Sequence, residues 1–330
     1  MRRREASLAR KEERRPRPLD EWDYLIGVSD VSRMGALRIR APGSQRFLSD
    51  APHPIPPVAR LRQLEHYASR VEQGEPLSAS EEEEEIALLV APGSSLGGAR
   101  PKATFQDGDG RLWIAKFPSR SDEWDVAAWE FTLHQLAAAA GITVPPARLI
   151  SLSGPQRTFI AQRFDRTGSE RHLFASAMTL TRKRDHDPDA SYLDIAEAIT
   201  DYVVPSTIDA DLEQLFRRIL FNVITGNRDD HLRNHGFLGG PRGWRLSPSF
   251  DMNPMPANRH HAIALDATDS APSVDAVMST CRLYRVASSH ATSILDEVHT
   301  AVRPWRSVAK ANSIARDEIE LMANAFMDEY

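Results

Sequence analysis

The sequence predicts an α+β fold, with a β-rich first part and a mostly helical second part. Three observations carry this. Residues 102–117 hold two short extended runs joined by the turn sequence QDGDG, which is a β-hairpin signal. Residues 212–224 place Leu212, Leu215, Phe216, Ile219, Leu220, Val223 and Ile224 at the i, i+3, i+4, i+7 spacing of a helix with a broad apolar stripe. Before about residue 166 extended runs alternate with one helix, and beyond it helical periods dominate.

A chain of 330 residues with 41% apolar content can build one large or two medium domains with real cores, which excludes disorder as its general state. The single cysteine, Cys281, rules out an intrachain disulfide framework and fits a reducing, cytoplasmic setting. The opening MRRREASL runs into further charge instead of an apolar stretch, so it does not read as a secretory signal. Nowhere do eighteen apolar residues run together, and no membrane span is expected. The formal charge of −5 argues against a whole-surface nucleic-acid footprint, which needs concentrated positive charge. Residues 1–20 do carry eight Arg/Lys against four Asp/Glu. This basic tail, taken as 1–22, reads as a solvated or partly ordered terminus, the alternative being contact with an acidic partner.

The elements follow in order. Residues 41–59 contain five prolines, whose missing donors and fixed φ disfavour any regular element. SASEEEEE at 78–85 places capping serines and acids before the apolar IALLVA, a solvated helix start. In the hairpin strand RLWIAKF, Leu112, Ile114 and Lys116 share one parity, which sets a lysine among apolar neighbours on a face at least half covered. Val126, Trp129, Leu133 and Leu136 give a helix over about 124–140 that Gly141 stops. PARLISL and RTFIAQRF read as two strands around the turn SGPQ. Gly226 ends the striped helix, and HGFLGGPRGWRLSP reads as a short hairpin after it. The chain thus divides into a tail at 1–22, a β-rich part at 23–165 and a helical part at 166–330.

GNRDDHLRNHGF at 226–237 begins where the buried helix stops, a place where a scaffold can hold a loop rigidly. Asp229 is followed five residues on by Asn234, and Asp251 comes after the short hairpin in LSPSFDMNP. Phosphoryl transfer needs one carboxylate to orient and accept the proton of an attacking hydroxyl, plus a second carboxylate and an amide to hold Mg²⁺. Asp229, Asn234 and Asp251 supply that set in the order of a kinase catalytic loop and its metal-binding aspartate. Taken alone, Asp229 and Asn234 also fit an Asx-rich turn that caps its own backbone. A zinc reading of His231 and His235 has i, i+4 spacing but lacks a Cys or an intervening Glu. His231 is instead expected to support the loop by hydrogen bonding, and His235 to be a surface residue.

Lys116 can place its ammonium against phosphates, and Glu130, fourteen residues later, is positioned to pair with it and pin its flexible stem. The plainer alternative is a snorkelling lysine and a solvent-facing glutamate. Gly97 and Gly98 precede the first strand, where backbone amides can cradle a phosphate with help from Lys102, or simply turn the chain.

With SSLGGARPK at 94–102, WIAKFPS, QRFDR at 162–166, GNRDDHLRNHGF and LSPSFDMNP in this order, the chain resembles the HipA-like serine/threonine kinases, toxins of bacterial HipBA-type toxin–antitoxin systems. The resemblance covers roughly residues 20–325, including YLIGVSDVSRMGALR at 24–38. It implies an atypical protein-kinase-like fold with a β-rich N-lobe, a helical C-lobe and ATP between them. Asp229 would be the catalytic base, with Asn234 and Asp251 binding Mg²⁺. Lys116 would contact the phosphates, His231 and Arg233 would border them, and the backbone at Gln162 and Phe164 would meet adenine. Ser95 matches the Gly-rich-loop serine whose autophosphorylation switches the kinase off, with Ser94 as the neighbouring alternative. A phosphate there would repel the ATP phosphates. The family pattern has Glu where this chain has Pro101, and proline restricts the opening of the loop.

The implied partners are a protein substrate, expected to be an aminoacyl-tRNA synthetase, and a small helix-turn-helix antitoxin, with DNA reached only through the antitoxin. Only about twenty-two residues precede the DYLIGVSD segment, where full-length relatives have roughly a hundred. The expectation is a compact form whose N-terminal subdomain is absent or separately encoded, or else a shortened gene product. Two other classes stay open at this point: a kinase of an amino alcohol or sugar, and a non-catalytic ATP-binding subunit of a repressor complex.

Overall fold

The computed structural model describes residues 2–48, 55–73, 100–267 and 269–327. The chain forms two compact units, Met1–Glu123 with Arg148–Arg171, and Trp124–Ala147 with His172–Tyr330.

The first unit holds α1 (Arg2–Lys11), α2 (Glu21–Gly27), α3 (Leu61–Gln73) and a four-stranded sheet of β1 (Lys102–Gln106), β2 (Leu112–Lys116), β3 (Ala147–Ile150) and β4 (Thr158–Gln162), in the order β1-β2-β4-β3. The predicted hairpin is present, with β1 antiparallel to β2 and Lys102 opposite Lys116. Its turn forms because the Asp107 carboxylate accepts the N–H groups of Asp109 and Arg111 at 3.0 and 2.8 Å, while Gly110 takes φ +81°. Trp113, Ala115 and Phe117 face the core, so the 112/114/116 parity carries the half-covered face on which Lys116 sits. Leu61, Leu64 and Ala68, at helical spacing on α3, close that core against Ala103, Phe105 and Ile160.

A buried ionic cluster follows β4. Arg163 donates to Asp165 at 2.8 and 2.9 Å, and to the carbonyls of Ser32 at 2.6 Å and Arg33 at 3.2 Å. Arg166 reaches Asp165 and the carbonyls of Arg33 and Gly35, and the Gly35 N–H donates to Asp165 at 2.7 Å. Burial acts to raise the Asp165 pKa, but the two guanidinium groups and this N–H hold it below the usual range. The two-residue strands β5 (Arg166–Thr167) and β6 (Glu170–Arg171) complete this unit. The basic terminus is ordered in part as α1, whose Glu5 binds Arg14, while Arg17 binds Asp23 at the capping box of α2.

The second unit holds α4 (Val126–Ala139), β7 (Leu173–Ser176), α5 (Ala177–Leu180), α6 (Tyr192–Tyr202), α7 (Ile208–Thr225), β8 (Gly236–Gly240), β9 (Gly243–Leu246), α8 (Val274–Ser279), α9 (Ser288–Val302), α10 (Trp305–Ala311) and α11 (Arg316–Met322). Every apolar residue of the predicted stripe on α7 is buried. Helices α6, α8 and α9 pack around it. Helix α4 packs on α9 and α10, which places it in this unit, with Trp129 set 6.0 Å from the Trp305 ring. The predicted hairpin is β8–β9, and β7 pairs with β8 to make three strands, an addition the sequence reading lacks.

Candidate functional site

Helix α7 stops at Gly226, which takes φ +66°, and a Cβ there would lie 2.4 Å from the carbonyl oxygen of Ala325. Only glycine fits, so the chain leaves the helix at a defined point. Gly226 and the two residues after it are pinned. Asn227 donates to the Asn222 side chain at 2.9 Å and accepts the Asn253 N–H at 3.1 Å. The Gly226 carbonyl accepts Met255 N–H, the Arg228 carbonyl accepts Ala262 N–H, and the Arg228 side chain binds the Asn258 carbonyl. The segment that carries Asp251 is therefore fastened to the start of the 229–235 loop. Asp251 itself has φ +64°, in the left-handed region that is uncommon for residues other than glycine though less so for Asp and Asn.

The Asp229 side chain reaches solvent. The protein packed around its carboxyl, together with the charges of Asp251 and Asp230, still pushes its pKa above the usual carboxylate range, against the opposite pull of His231 and Arg233. Asn234 is buried, its N–H donates to the His231 carbonyl at 2.8 Å and its Nδ2 lies 3.4 Å from the Asp229 carbonyl. The expected support from His231 thus runs through its backbone. Arg233 pairs with Asp185 at 2.9 Å. A cavity of ≈ 60 Å³ opens beside Asp229, lined in part by Met178, Asp185, His231, Leu232, Arg233 and Ile263.

His235 is a correction to the sequence reading, which expects a surface residue. It is 2% exposed, and its Nε2 lies 2.7 Å from Asp230 Oδ2. The cause is Asp230, a buried carboxylate that needs donors around it. Burial acts to raise the Asp230 pKa, but His235 and the Tyr192 hydroxyl hold it below the usual range. Sequence reasoning gave Asp230, Tyr192, Asn222 and Asn227 no role. Asn222, a polar residue wedged in the apolar stripe of α7, was the available signal.

Lys116 and Lys102 stand opposite each other at one end of the β1–β2 hairpin in the first unit, with the Lys116 ammonium 5.8 Å from the Phe159 ring. Gln162 ends β4, and Phe164 follows it beside the Arg163–Asp165 cluster. Glu130 is buried in α4 of the second unit. Ser94, Ser95, Gly97 and Gly98 lie outside the described residues, as does the acidic run at 78–85. Among the described residues no helix is long and apolar enough to cross a membrane.

A β-rich unit with an antiparallel hairpin, and a helical unit with a pinned Asp/Asn loop, define an atypical protein-kinase-like α+β fold. The model of the HipA-like C-terminal domain matches residues 94–305, and the chain belongs to that family. It is 29% identical over 160 residues to "Putative kinase Y4dM" of Sinorhizobium fredii, covering 44% of this chain and 38% of that protein. It is 28% identical over 148 residues to a "Putative kinase" of Haemophilus influenzae, covering 41% and 43%. The match spans less than half the length of either relative. Among solved structures, a chain of the Shewanella oneidensis MR-1 toxin–antitoxin system HipA, HipB and operator DNA complex aligns with a TM-score of 0.55 at 17% identity. That alignment covers 70% of this chain and 62% of the other, and it shows a shared fold.

Proposed function

We propose that the chain is an ATP- and Mg²⁺-dependent kinase that phosphorylates a serine or threonine hydroxyl of a protein. The observation that carries this reading is the Asn227 bridge, which fastens the Asp229–Asn234 loop to the segment bearing Asp251. Two carboxylates and an amide thereby belong to one rigidly held part of the second unit. Their oxygen donors suit Mg²⁺; the Asp229 pKa is raised first by the protein packed around its carboxyl, with Asp251 and Asp230 adding negative charge beside it. When bound, Mg²⁺-ATP supplies the phosphoryl group and the neutralisation of its developing charge.

Asn234 and Asp251 hold the cation in this reading. Asp229 orients the attacking hydroxyl and takes its proton, which requires the ionised carboxylate. Lys116 offers its ammonium to the phosphates, with Lys102 opposite it and Gly97 and Gly98 taken from the sequence as the phosphate cradle. His231 and Arg233 border the phosphates, and the backbone at Gln162 and Phe164 receives the adenine. Ser95, or its neighbour Ser94, is the self-inactivating phosphosite. The toxin role, an aminoacyl-tRNA synthetase as substrate, a helix-turn-helix antitoxin as partner and a separately encoded N-terminal subdomain belong to this reading through the family.

The test is incubation of the chain with Mg²⁺, γ-labelled ATP and cell lysate, with labelled proteins identified by mass spectrometry. Wild type should label a protein hydroxyl, and Asp229→Ala should lower incorporation by about 100-fold or more. Equal labelling by the two proteins would remove Asp229 from its role.

A further inference from the structure

Asp230, next to Asp229 in sequence, is 4% exposed, and one of its oxygens, Oδ2, lies at the centre of three contacts. The Tyr192 hydroxyl donates to it at 2.7 Å, Asn222 Nδ2 donates at 2.8 Å, and His235 Nε2 stands at 2.7 Å. These groups come from three places: the first turn of α6, the last turns of α7, and the residue that follows Asn234. Each is itself fixed. The Tyr192 N–H donates to the Ala264 carbonyl at 3.0 Å, and its ring meets His235 edge-on at 5.7 Å. The Asn222 side chain continues through Asn227 to the Asn253 N–H. A buried polar chain thus runs from Tyr192 through Asp230, Asn222 and Asn227 to the segment of Asp251.

Three partners on a single buried carboxylate oxygen hold Asp230 in place from three separate elements, although His235 Nδ1 finds no partner among the described residues. The network grips the loop on both sides of the proposed active residues, at Asp230 just after Asp229 and at His235 just after Asn234. A shared planar peptide links Asp229 to Asp230, so a clamped Asp230 restricts the directions open to the Asp229 side chain.

We propose that Asp230 is a positioning residue for phosphoryl transfer, its carboxylate clamped by Tyr192, Asn222 and His235 so that the Asp229 carboxylate is aimed at the incoming hydroxyl. This rests on the reading of Asp229 as the base. Tyr192, thirty-seven residues upstream of Asp229, becomes the remote anchor of the loop. Small errors in such positioning are expensive in rate, because reacting atoms must be held in near-attack geometry.

The test uses Tyr192→Phe and Asp230→Asn, each in wild type and in Asp229→Ala, with thermal unfolding recorded for all. Tyr192→Phe deletes one buried hydroxyl and keeps the ring. It should lower kcat by about 3- to 10-fold, leave the KM for ATP within about 2-fold, and speed amide exchange over residues 229–235. Asp230→Asn should lower kcat further, by about 100-fold. In the Asp229→Ala background either change should cost less than about 2-fold, since the group being aimed is gone. If Asp230→Asn fails to fold, Tyr192→Phe decides alone. Unchanged kcat and unchanged loop exchange in folded Tyr192→Phe overturn the proposal, while the activity of wild type leaves the kinase reading standing. Equal losses in both backgrounds also overturn it, because a purely structural network would act that way. Absence of transfer by wild type, whatever its substrate, takes down both.

Discussion

His261 is 4% exposed, and neither ring nitrogen has a hydrogen-bond partner among the described residues. Burial lowers its pKa from 6.5 to about 4, assisted by Arg228 and His260 and opposed by Asp230. The unfolded chain therefore takes up this proton before the folded chain does. The stability tied to the neutral ring is fully present above pH 6.5 and is lost as pH falls toward 4, by about 3 kcal/mol in total. His261→Phe removes the titrating group at no cost in hydrogen bonds. The gap in unfolding free energy between the two proteins, measured by urea denaturation, should shift in favour of the variant between pH 6.5 and 4.5; a pH-independent gap would count against this. At this scale, legibility in the sequence followed chemistry. Asp229, Asn234 and Asp251 stand out in the sequence by spacing and order together, because the roles proposed for them require fixed residue types. His235 and His261 do not, because their neighbours across the fold, Asp230 and the 258–262 segment, decide whether each is buried.

Elements were legible where a local period coincided with the buried face. The apolar stripe of α7 was readable to the residue, and the β1–β2 hairpin was readable because Asp107 and Gly110 make its turn from adjacent positions. Strand β7 was not, since its four residues, Leu173–Ser176, carry no alternation and become a strand only by pairing with β8. Gly226 shows how an end-of-helix signal acquires a tertiary meaning. Its left-handed φ would tolerate an asparagine in isolation, but the 2.4 Å approach to the Ala325 carbonyl excludes any Cβ. Gly226→Ala should destabilise the protein by about 3 kcal/mol or more, combining strain at positive φ with overpacking. Chemical denaturation measures this directly, and a change within about 0.5 kcal/mol would show that the C-terminal segment can move aside.

At the scale of the whole molecule, the family match ends at residue 305, yet the core of the second unit does not. Trp305 stacks on Phe326 with ring centroids 4.0 Å apart, and both rings lie near Trp129 of α4. Glu318 accepts the Asp125 N–H and stands 3.3 Å from the Trp129 indole nitrogen. The Ile224 carbonyl, in the last turn before the 229–235 loop, accepts the Met327 N–H at 2.9 Å. A chain ending at Pro304 loses the buried Trp305, Met322, Ala325 and Phe326 together. Removing two buried aromatic rings alone costs about 6 to 10 kcal/mol, comparable to the entire stability of a typical domain. The truncated chain should show no cooperative thermal transition for the second unit and no phosphoryl transfer, whereas a chain ending at Met327 should behave as the full length does. A chain of residues 1–304 that melts at the full-length temperature would mean that the 305–327 segment rests on the core without completing it, and that Met255, bonded to the Gly226 carbonyl, anchors the helix end instead.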